Sequence, residues 1–564
     1  MVQRRAGSPA SAFVRLLALL FAIALVAAAC GGDDDDDGGT AGGDDDSSTE
    51  TTAEDAGDPV VGGEVVYGLE AETNGGFCLQ EAQLAPPGIQ VTKTIYDTLT
   101  APNADGEIEP LLAESVEPNE DYTEWTITPR SGVKFHDGTD VDAQIIADNL
   151  NAYRGQFPAR KPLLFVFVLA DIENVVATPE NTVVVSMKRP WVAFDWTLWG
   201  SSRVGIIGRA QLEADSSTCA NELVGTGPFM LESWTVNQEL VAVKNPNYWQ
   251  KDVNGTQLPY LDKITYKPIS EVAQRVNALE SGQIDLMHTS DTEQLSSRLL
   301  PAQEAGDLVV EMSDKFAETN YTMLNVSKPP FDNKNARLAV AHALDTQLLI
   351  DVRGGGLGTL ASGPFSEGVL GYAEDTGFPR FDLDAAKEAA AAYEEETGSP
   401  LEFVYTYVTS EAGTLTAQEI QTQMADAGIK MELRPAGDQA TTINMALAGD
   451  FQSVGWRNHP GADPDTQYNW WYEGSPVNFG RIADPEINRL LDEGRTTPEG
   501  REEIYIELNK RFASEVYNIW GSWTIWAVAH QPNVHGVFGE TLSAAPGFPG
   551  LGAGHFVTGL WVEG

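Results

Sequence analysis

Histidines, cysteines and paired carboxylates are where chemistry would have to start in this 564-residue chain, and neither the histidines nor the cysteines show the spacing of a catalytic or metal set. The seven histidines (136, 288, 342, 459, 530, 535 and 555) show no helical metal spacing, and neither H-E-x-x-H nor G-x-S-x-G occurs. The three cysteines contain no C-x-x-C pair, so their spacing gives no metal site. GGGLG at 354–358 lacks the Gly-Lys-Ser/Thr ending with which a loop cradles phosphate. With 83 acidic residues, a neighbouring pair of carboxylates is expected from abundance alone and carries no information. His136 and Asp137 adjoin in a turn, where such a pair ordinarily serves the backbone. No catalytic residue, metal or cofactor is assigned, and a secreted hydrolase is the remote alternative. Binding chemistry remains. The segment 455–471, GWRNHPGADPDTQYNWW, with Asn478 after it, is dense in aromatic rings, amides, Pro and Gly, which suits a loop lining a cleft.

The elements that would position such a loop are those of an α/β protein. From Trp125 to Tyr153 the hydrophobic period changes from alternation (Trp125, Ile127, Val133) to helical spacing (Ile145, Ile146, Leu150, Tyr153). Ser131-Gly132 and Asp137-Gly138 supply the turn, and Asp142 stands at the N-cap. Residues 258–286 read as strand, helix, strand, a unit that builds mixed α/β lobes. The spacing predicts a strand at 163–169, a helix over 336–350, an Ala/Glu-rich helix over 384–397, a strand at 401–408 and an amphipathic helix over 501–515. Trp191, Trp196 and Trp199 read as core rather than a sugar platform. The net charge of −48 argues against nucleic acid and anionic membrane surfaces as partners.

Five ordered blocks carry a resemblance: WTITPRSGVKFHDGT from Trp125; VGTGPF with KNPNYW after it, 224–249; ITYKPISEVAQRVNALESGQIDL, 264–286; NVSKPPFDNKNARLAVAHALD, 325–345; and DPD, 463–465. Together they resemble the extracellular solute-binding proteins of family 5, the peptide and nickel receptors of ABC importers. The resemblance implies a two-lobed periplasmic-binding-protein-like fold (type II, cluster C), with an extra subdomain in lobe I and a hinge between the lobes. Lobe I would comprise 60–99, 223–318 and 530–564, the extra subdomain 100–222, and lobe II 319–529, with the chain crossing near Thr319–Asn325. The implied partners are a small-molecule or peptide solute and ABC permease subunits with their ATPase, and the chain would act as a monomer.

The N-terminus reads as an address. Arg4 and Arg5 precede an apolar run that ends in Ala27-Ala28-Ala29-Cys30, similar to a lipoprotein box, so 1–29 is expected to be a signal peptide and Cys30 a lipidation site. Residues 30–59, rich in Asp and Gly, cannot bury enough apolar surface to order themselves and form an acidic tether. The folded part would then be anchored on the outer face of the cell membrane or in a periplasm. In such a compartment Cys78 and Cys219 are expected to pair, two free buried thiols being the alternative.

For the ligand, the resemblance points to the loop after the first strand (Thr73, Asn74), the crossing strand (Asn320, Tyr321) and the aromatic segment with its neighbour (Trp456, Arg457, Asn458, His459, Trp470, Trp471, Asn478). Peptide-binding relatives place an aspartate for the ligand amine where this chain has His459. They also carry a carboxylate-binding arginine after the 401–408 strand, and 401–418 holds no Arg or Lys. A neutral solute, a cation or a longer peptide held by its backbone is therefore expected rather than a dipeptide. Arg457 and His459 could instead meet an anion. A nickel-type chelate or an oligosaccharide on the same fold is the alternative.

Overall fold

Two sheets organise the chain, and its folding explains why the ordered sequence blocks are where they are. The computed structural model describes residues 57–73, 75–437, 439–458 and 461–563. Asn74, His459, Cys30, the expected signal peptide and nearly all of the tether lie outside the described residues.

The first sheet has seven strands in the order Val309–Ser313, Trp526–His530, Leu286–Thr289, Glu64–Leu69, Lys263–Pro268, Glu239–Lys244, Phe229–Thr235. Its central strand Glu64–Leu69 is parallel to both neighbours and buries Val65, Tyr67 and Leu69. The second sheet has six: Thr359–Leu360, Asn518–Trp523, Thr319–Leu324, Ser453–Asn458, Glu402–Tyr407, Lys430–Pro435. A separate four-stranded antiparallel sheet (113–187) carries the helix Ala143–Tyr153 and shares its core with the first lobe. The Asp142 carboxylate accepts from the Ile145 amide at 2.8 Å, capping that helix.

The chain passes from the first sheet to the second through residues 314–318 and returns through 524–525. The two crossings are joined where the Thr524 amide donates to the Glu318 carbonyl at 2.9 Å. Thr319–Leu324 thus lies inside the second sheet, directly after the crossing.

Two of the signature blocks meet in one clasp around Asp97. Buried Asp97 accepts from Thr226 Oγ1 (2.9 Å), Tyr248 OH (3.2 Å) and Trp249 Nε1 (3.0 Å). His136 Nε2 donates to the Gly227 carbonyl at 3.1 Å, while its Nδ1 accepts from the Gly225 amide at 3.3 Å. Burial holds the imidazole neutral, pushing it down to about 4. A Cβ at Gly225 or Gly227 would collide with the backbone at Ile95, which is why the block alternates glycine. His136 is therefore a structural clip. The carboxylates of DPD are likewise engaged: Asp463 by Arg501 at 2.6 Å and Asp465 by Arg495 at 2.7 Å.

Two expectations are corrected. The run 163–169 contains a short helix, Phe165–Val168, instead of a strand, with Phe165 edge-on to Tyr153 at 5.3 Å. A short apolar run does not by itself choose between the two periods. The single helix over 336–350 is two, Lys334–Ala343 and Thr346–Gly354, because Asp345 turns its side chain onto the Leu348 amide at 2.9 Å and starts the second. Cys78 and Cys219 form a disulfide that ties the loop after the first strand to the helix Ser216–Asn221.

Candidate functional site

Where the lobes meet, the second sheet contributes two antiparallel strands whose residues alternate between faces. Tyr321 lies opposite Trp456, and Asn320 opposite Arg457. The sequence-predicted residues therefore divide. Tyr321 and Trp456 face an apolar nook lined also by Trp470, Trp471, Phe479 and Asn518, with Trp456 and Trp470 both edge-on to Phe479 at 5.6 and 5.4 Å. Asn320, exposed, and Arg457 lie on the other face.

Arg457 already has partners. Its Nη1 donates to Glu318 at 3.0 Å and to Ser290 Oγ at 3.1 Å, and the guanidinium lies 5.7 Å from the Trp526 ring. Trp526 Nε1 donates to the same Glu318 oxygen at 3.2 Å. Ser290 and Trp526 belong to the first lobe and Glu318 to the crossing, so this ion pair spans the hinge. The Glu318 charge raises the Arg457 pKa, and the side chain stays 45% exposed. Nearby, burial raises the Glu70 carboxyl while Arg275, 3.7 Å away, opposes the shift.

Other predicted residues are committed to the fold. Asn478 donates to the Ile482 carbonyl at 2.8 Å and accepts from its amide at 3.0 Å. Trp471 is buried against Phe365 and Phe512. Asn458 donates to Gln467. Thr73 is buried where its loop lies on Gly88 of the helix Pro86–Ile95; a Cβ there would meet Thr73 Oγ1 at 2.9 Å.

That helix supplies a residue the sequence reading missed. Lys93 is buried with its Nζ 4.4 Å from the Phe556 ring centroid and 5.8 Å from that of Trp199. Trp199 in turn reaches the second lobe, since a Cβ on Gly461 would sit 3.4 Å from its ring. Burial among these rings lowers Lys93 to about 7. The helix is buried at nine of its ten positions, so a lysine in its last turn was the available signal.

Farther out, the extra subdomain is bolted to the second lobe. Trp191 Nε1 donates to buried Asp465 at 2.6 Å, the Val192 amide donates to the Arg495 carbonyl at 2.9 Å, and Arg495 also reaches Asp171 at 2.8 Å. Beside this network opens a groove of about 340 Å³ lined by Phe167, Arg189, Tyr468 and Tyr472. The charges in it are paired, Arg189 with Asp171 and Asp492. Among the described residues no group of three or more His, Cys, Asp or Glu could hold a metal ion, and no helix is long and apolar enough to cross a membrane.

Comparison with known proteins agrees with this architecture. The family model described as bacterial extracellular solute-binding proteins, family 5 Middle, matches residues 107–479. The "Probable D,D-dipeptide-binding periplasmic protein DdpA" of Escherichia coli (strain K12) is 29% identical over 419 residues, 71% of this chain and 77% of that one. The glutathione-binding protein GsiB of Salmonella paratyphi A is 28% identical over 464 residues, 77% and 87% of the two chains. The solved structure of the periplasmic binding protein AgaA from A. tumefaciens R10, in complex with agropinic acid, matches with a TM-score of 0.76 at 26% identity, covering 89% of this chain and 99% of that one.

Proposed function

The chain belongs to the bacterial extracellular solute-binding proteins of family 5, which are substrate-binding components of transport and not enzymes. From that premise we propose that it captures a peptide or similar small solute between its two lobes and delivers it to the permease subunits of an ABC importer, whose ATPase drives uptake. The observation that carries the reading is the paired crossing at 314–318 and 524–525, two short adjacent links joining two sheets, the anatomy of hinge closure around a ligand. The ligands of those similar proteins, a D,D-dipeptide, glutathione and agropinic acid, support a solute of that size. Lobe boundaries follow the two sheets, and Tyr321, Trp456 and Trp470 line the solute's second-lobe side. Lipidation at Cys30 and a monomeric state complete the proposal, placing the protein on the outer face of the membrane. Closure stabilises the bound state only by the difference in solute affinity between open and closed forms.

Native mass spectrometry of the full chain, purified from an oxidising compartment without refolding, tests it. A discrete small mass lost on denaturation is the expected result. Its fragments separate a peptide from a chelate or an oligosaccharide. A protein that carries no solute, and whose melting temperature no candidate solute raises, would contradict the reading.

A further inference from the structure

Lys93 and Arg203, both on the first lobe, have no ion-pair partner among the described residues. Lys93, only 5% exposed, contacts the Phe556 and Trp199 rings and makes no hydrogen bond or ion pair among the described residues. Arg203 donates Nε to the Leu84 carbonyl at 3.3 Å, and its terminal nitrogens have no partner among the described residues. The two belong to one wall. Thr92 Oγ1 donates to the Ser202 carbonyl at 3.2 Å, and Trp199 Nε1 donates to Ser202 Oγ at 3.1 Å, so the residues preceding Lys93 and Arg203 are stitched together. Through Trp199 that wall meets the second-lobe loop at Gly461.

Scarcity of carboxylates does not explain the missing partners, because the chain has 83 acidic residues against 35 basic ones. A buried ammonium is costly unless something neutralises it, and ring faces attract a cation without replacing a counter-ion. Burial accordingly lowers Lys93 to about 7 and Arg203 to about 10, the latter opposed by the charge of Glu318 at the crossing. Arg275, Arg457, Arg495 and Arg501, by contrast, each have a carboxylate within 4 Å.

We propose that the captured solute is acidic, bringing a carboxylate that Lys93 and Arg203 hold on the first lobe, with Phe556 covering the apolar part beside it. This rests on the receptor reading above, and it replaces the expectation of a neutral or cationic solute. That expectation came from the second lobe, where 401–418 carries no base, whereas these bases come from the first.

The test compares the full chain with Lys93→Met, Arg203→Gln and Lys93→Arg, all purified without refolding. Each is examined by native mass spectrometry and then by thermal shift against acidic dipeptides, γ-glutamyl peptides and sugar acids, every acid paired with its primary amide. A cooperative melt in each variant shows that it has folded. Wild type should carry or select an acid over its amide at least tenfold. Lys93→Met and Arg203→Gln should each weaken acid binding at least tenfold, with Lys93→Arg retaining more than Lys93→Met. Amides binding as well as acids, or acids binding the Met and Gln variants as tightly as wild type, would overturn the proposal and leave the receptor intact. A wild type that neither carries a solute nor is stabilised by any member of the set would overturn both.

Discussion

Trp191 Nε1 and the Asp465 carboxylate are 2.6 Å apart across 274 residues of sequence, joining the extra subdomain to the second lobe, and Arg495 sits on the same carboxylate at 2.7 Å. Both partners of that ion pair are almost fully buried. Asp465→Ala would leave Arg495 with only Asp171 and should destabilise the protein by about 3–5 kcal/mol in denaturant titration. Trp191→Phe keeps an aromatic ring but a smaller one and loses one hydrogen bond to a charge, so at least about 1.5–3 kcal/mol is expected.

At the hinge, Glu318→Gln removes the charge partner of half-exposed Arg457. Stability should change by no more than about 1 kcal/mol. The lobes, however, lose a contact that spans them, and the radius of gyration in small-angle scattering should rise relative to wild type.

Asp195 gives a pH signature. Burial, aided by the nearby Asp463, pushes its carboxyl up to about 7. An acid whose folded pKa lies above its unfolded one costs the folded state stability as pH rises from about 4 to 7. Asp195→Asn should therefore melt higher than wild type at pH 8, with the gap closing below pH 4.

Lys93 has the opposite dependence. Its folded pKa of about 7 lies below the unfolded lysine value near 10.4, so the unfolded chain binds more protons between the two and stability rises with pH there. Solute-free Lys93→Met should melt higher than solute-free wild type at pH 6, and the advantage should shrink toward pH 10.

The disulfide closes a loop with a sequence separation of 141, so removing it as Cys78→Ala with Cys219→Ala should cost about 2–5 kcal/mol. Urea titration of oxidised wild type and the double variant checks this.

Periodic elements were legible in the sequence because their signals are local. The Asp142 cap and the helices Leu383–Thr397 and Arg501–Glu515 fall within a residue or so of where capping and 3.6-residue spacing put them. The family blocks also identified the fold, yet Thr226, His136 and Asp465 show what those blocks do: they clamp the architecture together. The ligand wall was harder to read. Lys93 and Arg203 are 110 residues apart in sequence, and their neighbours Thr92 and Ser202 are joined by a hydrogen bond that sequence does not announce. Asn478 and Trp471 carried the composition of a cleft loop, but whether an amide or indole faces a cleft or closes its own turn depends on tertiary contacts that composition does not encode.

Small-angle scattering of the full chain as purified, after its solute is stripped by denaturant exchange and refolding, and again after the released fraction is returned, tests capture by lobe closure most directly. The account predicts that the radius of gyration rises on stripping and falls back when the fraction is restored, with the wild-type bound mass recovered. An unchanged radius in all three states, with no mass regained, would contradict it.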